Sequence, residues 1–236
     1  MSVSLRKGQK VNLTKSNPQL RKAKVCLGWE NAEISGLKNP SNKKGSTLRS
    51  VGNTLKELFF DLVLDLDISH DPSTEIDVDA AVLMIEDPFS PGYGKTELVY
   101  YGKLHSEDLS IFHHGDDLVG SSEAGGLKDC EQIDIEFSKL DGRWKKLVVF
   151  ASIYEAQYRR QNFGMISNAF IRIVDGETGK ELYRYLLTEN EPTAEIVNFG
   201  EFIKDSDGNW NFEVKGDGYK GNYASHFVGQ YLSQYK

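Results

Sequence analysis

Apolar and polar residues alternate in short runs along most of this chain, and this period of two is the feature that most limits its fold. Runs such as KLVVFASIY (146–154) and NAFIRIVD (168–175) are typical of strands, whose successive side chains point to opposite faces of a sheet. Turns rich in glycine and aspartate, among them DGETGKE and DSDGNW, separate the runs. The chain is therefore predicted to be all-β, an antiparallel β-sandwich or barrel. The predicted strands cover residues 3–5, 11–13, 23–29, 76–85, 97–102, 133–137, 146–154, 168–175, 181–187, 196–205 and 210–216.

Helical patterns are few. Residues 53–63 carry apolar side chains at helical spacing behind a polar capping residue, while the alternation over 60–68 favours a strand, and the sequence leaves both interpretations open. The C-terminal residues 224–235 are predicted to form a short amphipathic helix. Residues 35–50 are polar and basic, and they are predicted to form a mobile loop.

Length and cysteine content limit the class of protein. A chain of 236 residues forms one large domain or two small ones and can bury a core without disulfides. No apolar run approaches the roughly 20 residues that span a bilayer, and the N-terminal segment has no apolar signal region. Two cysteines do not make a disulfide framework. We therefore expect a reduced, cytoplasmic protein without a membrane span.

Charge is distributed unevenly along the sequence. Residues 1–60 carry 12 Lys and Arg against 3 Asp and Glu, whereas the remainder carries 16 against 32. The basic charges are scattered with few aromatic residues between them, so they indicate a solvated face. The acidic remainder would repel phosphates, which argues against a nucleic-acid partner and favours a cationic one.

Carboxylates and glycines concentrate in the stretch 113–131. Calcium binds six to eight oxygens from carboxylates and backbone carbonyls, and glycines let a chain curl so that its carbonyls point inward. Without a cation these carboxylates would repel one another, although an acidic loop that is merely solvated has the same composition. The acidic residues considered as calcium ligands here are Asp116, Asp117, Glu123, Asp129 and Glu131.

A second acidic pair, Asp77 and Asp79, lies in the predicted strand 76–85. Residues two apart on a strand share a face, and Ala81 and Leu83 continue this one. Two carboxylates on a core-type face are costly unless they are paired or bound to metal. We therefore place the pair at the end of the sheet, beside the 113–131 stretch.

Other residues offer weaker chemical signals. His113 and His114 lack nearby partner ligands, so a structural role in the loop is favoured over metal binding. The segment Arg159–Asn162 either recognises an anion or ties a loop over the sheet by hydrogen bonds. The stretch DSDGNWNFE (205–213) is interpreted as a hairpin turn rather than an EF-hand loop. No nucleophile motif, phosphate-binding loop or dinucleotide-binding glycine run is present, so no catalytic residue is assigned.

Several ordered motifs resemble the TerD-like family of bacterial tellurite-resistance and general stress proteins. The opening VSLRKGQKVNLTK meets each fixed place of the family's V-S-L-x-K-G-x-x-V-x-L-x-K pattern. Further similar segments follow in the family's order: CLGWE (26–30), IDVDAAVLMI (76–85), SIFHHGDDLVG (110–120), YEAQYRRQNFGMISNAFIRIVD (154–175) and EIVNFGEFIKDSDGNWNFEVKGDGYKGN (195–222). The resemblance therefore covers almost all of the chain except residues 31–74.

The resemblance implies one calcium-binding β-sandwich domain over residues 1–236, in the cytoplasm, linked to stress and toxic-oxyanion resistance without a firmly attached reaction. The family's acidic metal positions fall here on Asp77, Asp79, Asp116, Asp117, Glu123, Asp129 and Glu131. The chain departs from the family where Cys130 replaces the middle acid of a DDE run, since a thiol is a poor calcium ligand. A family-atypical insertion at about 31–74 is the other departure.

The leading hypothesis is a non-enzymatic, calcium-binding (Ca2+) stress-response protein in which the ion orders the acidic loop at one end of the sandwich. It implies protein partners in a stress-response complex and leaves peripheral association with a membrane open. One alternative is an interaction or scaffold protein with a purely structural ion. Another is a calcium-assisted enzyme acting on anionic small molecules.

Overall fold

Strand pairing sorts the strands of the computed structural model into two sheets of six. The structure describes residues 2–31, 76–88, 94–115, 129–186 and 192–235. In spatial order, the first sheet contains β1 (Val3–Ser4), β10 (Glu181–Leu186), β9 (Ile166–Asp175), β3 (Lys22–Asn31), β7 (Glu131–Glu136) and β6 (Ile111–His113). The second contains β2 (Lys10–Asn12), β12 (Trp210–Tyr219), β11 (Ile196–Lys204), β8 (Lys146–Ile153), β4 (Val78–Ile85) and β5 (Thr96–Val99).

Neighbouring strands in both sheets run antiparallel, apart from the short parallel pair β1–β10. The prediction of an all-β sandwich is confirmed, and most predicted strands lie within a few residues of their observed bounds. Strand β6 was not predicted from the sequence.

The inner faces of the two sheets share one apolar core. Inward side chains come from alternate positions of both sheets, as in β4, where Val78 and Val82 face the core. Trp29, Trp144 and Trp210 are all buried in this core.

The outer face of the second sheet is also apolar, because a C-terminal helix covers it. Helix α3 (Ala224–Leu232) packs Phe227 against Phe150 of β8 with ring centroids 4.1 Å apart. Leu83 and Ile85 of β4 belong to this second apolar cluster. Strand β4 therefore buries both faces, which explains its nearly continuous apolar sequence. The predicted C-terminal helix is confirmed, with a 3-10 turn (Ser233–Tyr235) after it.

Two single-turn helices interrupt the strands. The first, α1 (Leu13–Ser16), takes Leu13 from a predicted strand, because the side chain of Asn12 caps the helix by accepting the backbone N–H of Lys15 at 2.8 Å. The second, α2 (Ala156–Arg159), follows β8 and precedes a 3-10 turn (Phe163–Met165).

The hairpin between β11 and β12 follows the sequence prediction. The Oδ1 atom of Asp205 accepts the backbone N–H groups of Asp207 at 3.0 Å and Asn209 at 2.8 Å. This carboxylate therefore closes a turn between two paired strands, as expected for a hairpin rather than an EF-hand loop.

Several predictions fall outside the described residues. They include the insertion at about 31–74, with its helix 53–63 or strand 60–68, and the loop at 35–50. The residues that are described belong to one unit built from 1–32 and 75–236. Within them, no helix has the length and apolar character required to cross a bilayer.

Candidate metal site

The acidic pair Asp77 and Asp79 lies where β4 begins. Strand β4 starts at Val78, and alternation places Asp79 on the outer face together with Ala81 and Leu83. Both acids are buried, with Asp77 9% and Asp79 3% exposed. The backbone N–H of Tyr154 donates to the carbonyl of Asp77 at 3.0 Å, which fixes the end of β8 beside the pair. The predicted position of the pair at the end of a strand is confirmed.

Three tyrosines surround this end of the sheet. The ring of Tyr154 makes edge-to-face contacts with those of Tyr101 and Tyr223, at centroid distances of 6.3 and 5.8 Å. Burial, followed by the negative charge of Asp79, raises the pKa of the Tyr101 phenol to about 12. Asp79 therefore lies close enough to Tyr101 to act on it, and the phenol keeps its proton at neutral pH.

The chemistry of this group suits a hard cation. Calcium prefers carboxylate and carbonyl oxygens, and Asp77 and Asp79 are two buried carboxylates. A nearby positive charge would offset the cost of holding two carboxylates in a buried place. Two residues supply only part of a sphere of six to eight oxygens, so a calcium ion held there would need further ligands from elsewhere in the chain or from water.

Glu131 occupies a different environment, inside the sandwich. It begins β7 and is 1% exposed, and its neighbours Ile133 and Ile135 point into the same core. One of its carboxylate oxygens lies 3.2 Å from Nε2 of His113, which is itself fully buried. This contact joins β7 to the neighbouring strand β6.

His113 also connects the two sheets. Its Nδ1 accepts the backbone N–H of Gly115 at 3.1 Å, so Nε2 carries the proton and donates to the carbonyl of Ala80 at 3.0 Å. Ala80 lies on β4, directly beside Asp79. His114 points to the opposite side, where its Nε2 lies 3.1 Å from Asp134. The residues before and after 116–128 are thus anchored near the acidic pair.

Asp129 is held by an arginine on the outer side of the first sheet. Its Oδ1 accepts from Nε of Arg172 at 2.8 Å, and its Oδ2 lies 2.5 Å from Nη2 of the same guanidinium. Arg172 also reaches Glu181 at 3.3 Å. Burial, followed by the negative charge of Asp129, raises the pKa of Cys26 to about 12, so this thiol is protonated at neutral pH.

The described residues thus bring together two of the four predicted ligands that they contain. Asp77 and Asp79 share one face, whereas Glu131 lies in the core and Asp129 pairs with Arg172. Asp116, Asp117 and Glu123 lie outside the described residues. Within the described part of the chain, no group of three or more His, Cys, Asp or Glu side chains has the geometry to hold a metal ion.

The loop after β8 is tied down by hydrogen bonds. The side-chain amide of Gln157 and the backbone N–H of Gly221 both donate to Oε2 of Glu195, at 2.9 and 2.8 Å. Asn162 caps the following 3-10 turn by accepting the N–H of Gly164 at 3.0 Å. Such hydrogen bonds agree with the second of the two roles considered for residues 159–162, in which the segment ties a loop over the sheet.

Sequence reasoning missed the residues that complete these environments. Tyr101 and Tyr154 lie just after β5 and β8, Tyr223 immediately precedes α3, and Arg172 lies on β9. Only the strand order brings them together, and nothing in local spacing marks them. The only available signal was that aromatic residues lie close to the C-terminal ends of two predicted strands, at 100–101 in 97–102 and at 154 in 146–154.

The fold and the site define an antiparallel two-sheet β-sandwich with acidic and phenolic oxygens gathered at one end of its second sheet. The model of the TerD domain matches residues 1–231. The chain belongs to the TerD family.

Relatives of the chain include proteins named for stress and for tellurium resistance. It is 32% identical to general stress protein 16U of Bacillus subtilis, over 95% of this chain and 94% of that protein. It is 30% identical to the tellurium resistance protein TerD of Serratia marcescens, over 95% of each. A crystal structure of a homologue of the telluride resistance protein from Streptomyces coelicolor superposes with a TM-score of 0.56 at 15% identity, covering 89% of this chain and 95% of that one, and supports the fold.

Proposed function

We propose that this protein is a non-catalytic, calcium-binding stress-response protein of the cytoplasm. Asp77 and Asp79 would hold the ion, and acidic residues of the 116–128 segment, Asp116, Asp117 and Glu123, would supply further ligands. Bound calcium would contribute positive charge that offsets the repulsion among these carboxylates. Protein partners would then recognise the end of the sandwich where strand and segment meet.

One observation carries this proposal. Asp77 and Asp79 are both buried where β4 begins, and the negative charge of Asp79 contributes to the raised pKa of the Tyr101 phenol. Buried carboxylates normally have a cation or several donors close by. Further support comes from His113 and Glu131, whose contacts fix both chain ends of the 116–128 segment near β4.

Calorimetric titration with calcium tests the proposal directly. We expect saturable binding by the parent protein after chelator treatment, and at least about tenfold weaker binding by Asp79→Asn, because losing one charged ligand costs 1.4 kcal/mol or more. Glu177→Gln is the matched control, since Glu177 is an exposed acid in the β9–β10 turn. Equal calcium affinity in the parent and Asp79→Asn would refute the assignment of the ligand.

Terbium luminescence locates the ion more closely. Terbium occupies calcium sites and emits when a neighbouring tyrosine is excited, so the bound ion should be sensitised by Tyr101. The Tyr101→Phe variant should emit less while its calcium affinity stays within about threefold of the parent. Unchanged emission in this variant would place the ion away from Asp79.

A further inference from the structure

The imidazole of His226, in the first turn of helix α3, accepts a hydrogen bond from the backbone. Its Nδ1 lies 3.0 Å from the backbone nitrogen of Asn222, four positions earlier in the chain. A backbone N–H can only donate, so Nδ1 carries no proton and the neutral ring has its proton on Nε2. His226 is exposed, so solvent has access to the ring. This hydrogen bond therefore exists in only one charge state of an accessible histidine.

The turn before α3 packs closely around this ring. A β-carbon at position 221 would meet Cβ of His226 at 2.7 Å and Nδ1 at 3.1 Å, and Gly221 has a φ of +154°. Glycine is the residue that allows such a backbone to approach a neighbouring group so closely. A change at Nδ1 therefore acts directly on the backbone of the turn.

Asn222 connects the same turn to helix α2. Its side-chain oxygen accepts the N–H of Gln157 at 2.7 Å, and its side-chain amide donates to Gln157 at 3.4 Å. Its carbonyl accepts the N–H of Glu155 at 3.1 Å. Asn222 is 6% exposed, so water is largely kept from these partners. One buried asparagine thus holds the start of α2, and the histidine holds the asparagine.

The conformation at the start of α2 depends on such support. Glu155 has φ 52° and ψ 33°, in the left-handed region of the backbone. This region is uncommon for a residue other than glycine, asparagine, aspartate or histidine, and it costs free energy. Weakening the hold of Asn222 therefore favours a different backbone conformation at Glu155.

Charged neighbours do not offer His226 a substitute partner. The charged and titratable groups linked by contacts to the turn are Glu155, Arg159, Glu195, Lys220 and Tyr223. The two acids are paired with the two bases, Glu195 with Lys220 at 3.2 Å and Glu155 with Arg159 at 3.9 Å. The ring of Tyr223 lies 5.5 Å from that of His226. In the part of the chain that the structure describes, no carboxylate forms an ion pair with His226.

We propose that His226 is a pH-sensitive switch: its neutral ring fixes Asn222, and through Asn222 the start of α2, and a proton on Nδ1 releases both. The protonated ring places an N–H opposite the N–H of Asn222, so an acceptor becomes a second donor. Histidine is the side chain that ordinarily changes charge between about pH 5 and 8. The start of α2 is therefore fixed in neutral and alkaline solution and released in mild acid. The inference goes beyond the calcium proposal and does not depend on it.

Amide hydrogen exchange of the full chain, measured by NMR with chelator present, tests the switch. Protection factors remove the intrinsic effect of pH on exchange. We expect those of Asn222 and Gln157 to be about tenfold lower at pH 5.5 than at pH 8, the weight of one hydrogen bond, and to follow the ring signals of His226. Val149 in β8 should keep its protection. Unchanged protection of Asn222 at pH 5.5, or an equal loss at Val149, would overturn the proposal.

Two substitutions separate the acceptor from the ring. His226→Phe keeps a ring without an acceptor, so the protection of Asn222 should be low at both pH values. His226→Asn brings an amide oxygen close to the position of Nδ1 and cannot titrate, so protection should stay high at both. His105→Asn is the matched control, since His105 is an exposed histidine that packs against Phe112, and it should respond like the parent. The parent's pH response in either variant of His226 would contradict the proposal.

Discussion

At the scale of single residues, Asp108 shows how one carboxylate organises a loop. It lies between β5 and β6, and its Oδ1 accepts from the hydroxyl of Ser106 at 2.7 Å and the N–H of Ser110 at 3.0 Å. Its Oδ2 accepts the N–H of Asp141 at 3.0 Å and the indole of Trp144 at 3.1 Å. Burial alone would raise the pKa of Asp108, but these hydrogen bonds outweigh it and hold the pKa at about 2.

Asp108→Asn should therefore destabilise the fold. The asparagine side chain has a single oxygen. While that oxygen accepts from Ser106 and Ser110, the N–H groups of Asp141 and Trp144 lose their acceptor. We expect the unfolding free energy to fall by about 2–3 kcal/mol. Urea denaturation at pH 7 measures this loss. Asp207→Asn is the control, because Asp207 is exposed in a turn. A loss no larger than that of the control would show that the hydrogen bonds to Asp108 contribute little.

The same substitution has a defined pH dependence. The pKa of Asp108 is about 2 in the folded protein, below the value of about 3.9 for an unfolded chain, so its contribution to stability is full above pH 4. As the pH falls from about 4 towards 2, Asp108 takes up a proton and this contribution is lost. The stability difference between parent and Asp108→Asn should thus shrink over that range, as urea denaturation at several pH values would show. A difference that stays constant from pH 7 to pH 2.5 would argue against the lowered pKa.

At the scale of elements, helix α3 is held to the second sheet by a buried charge pair as well as by apolar packing. Lys146 of β8 lies 2.9 Å from Glu201 of β11, and both side chains are at most 10% exposed. The hydroxyl of Tyr231, on α3, donates to Glu201 at 2.6 Å. The burial of Glu201 would raise its pKa, but the positive charge of Lys146 and the bond from Tyr231 lower it. The pair therefore links two strands to the helix above them.

Breaking this pair from one side should cost more than removing it entirely. Lys146→Met leaves Glu201 buried without its main counter-charge, and we expect a loss of about 3–5 kcal/mol of unfolding free energy. The double variant Lys146→Met with Glu201→Met should recover much of that loss, since no buried charge remains at the pair. Chemical denaturation of the parent, both single variants and the double variant gives the four stabilities of a double-mutant cycle. A double variant no more stable than Lys146→Met would show that the uncompensated charge of Glu201 is not what destabilises that variant.

At the scale of the whole molecule, the pattern of alternation predicted an all-β sandwich or barrel but not which residues meet across it. Asp77 and Asp79 were placed correctly because β4 is long and its face is continued by Ala81 and Leu83. Glu131 and Asp129 were grouped with them, yet β7 begins at Glu131, so alternation does not constrain Asp129. Strand order then brings Arg172, 43 positions away, to Asp129. Such pairings depend on sheet topology, which local spacing does not encode.

Calcium should stabilise the folded chain as a whole. A ligand that binds only the folded state adds about 2.7 kcal/mol at a concentration 100 times its dissociation constant. For a domain of this size the melting temperature should rise by roughly 5–10 °C, and chelator should reverse the rise. Differential scanning calorimetry of the parent and Asp79→Asn, with and without calcium, makes the measurement. Parallel calcium responses in the two proteins would exclude Asp79 as a ligand.

The edges of the two sheets limit how this protein can associate with copies of itself. In the part of the chain that the structure describes, the outermost strands are β1, β2, β5 and β6, of 2, 3, 4 and 3 residues. An intruding strand needs a run of unpaired backbone groups as its template, and short edge strands offer few of them. Edge-to-edge pairing between molecules, which is how fibrils grow, is therefore disfavoured at these four edge strands.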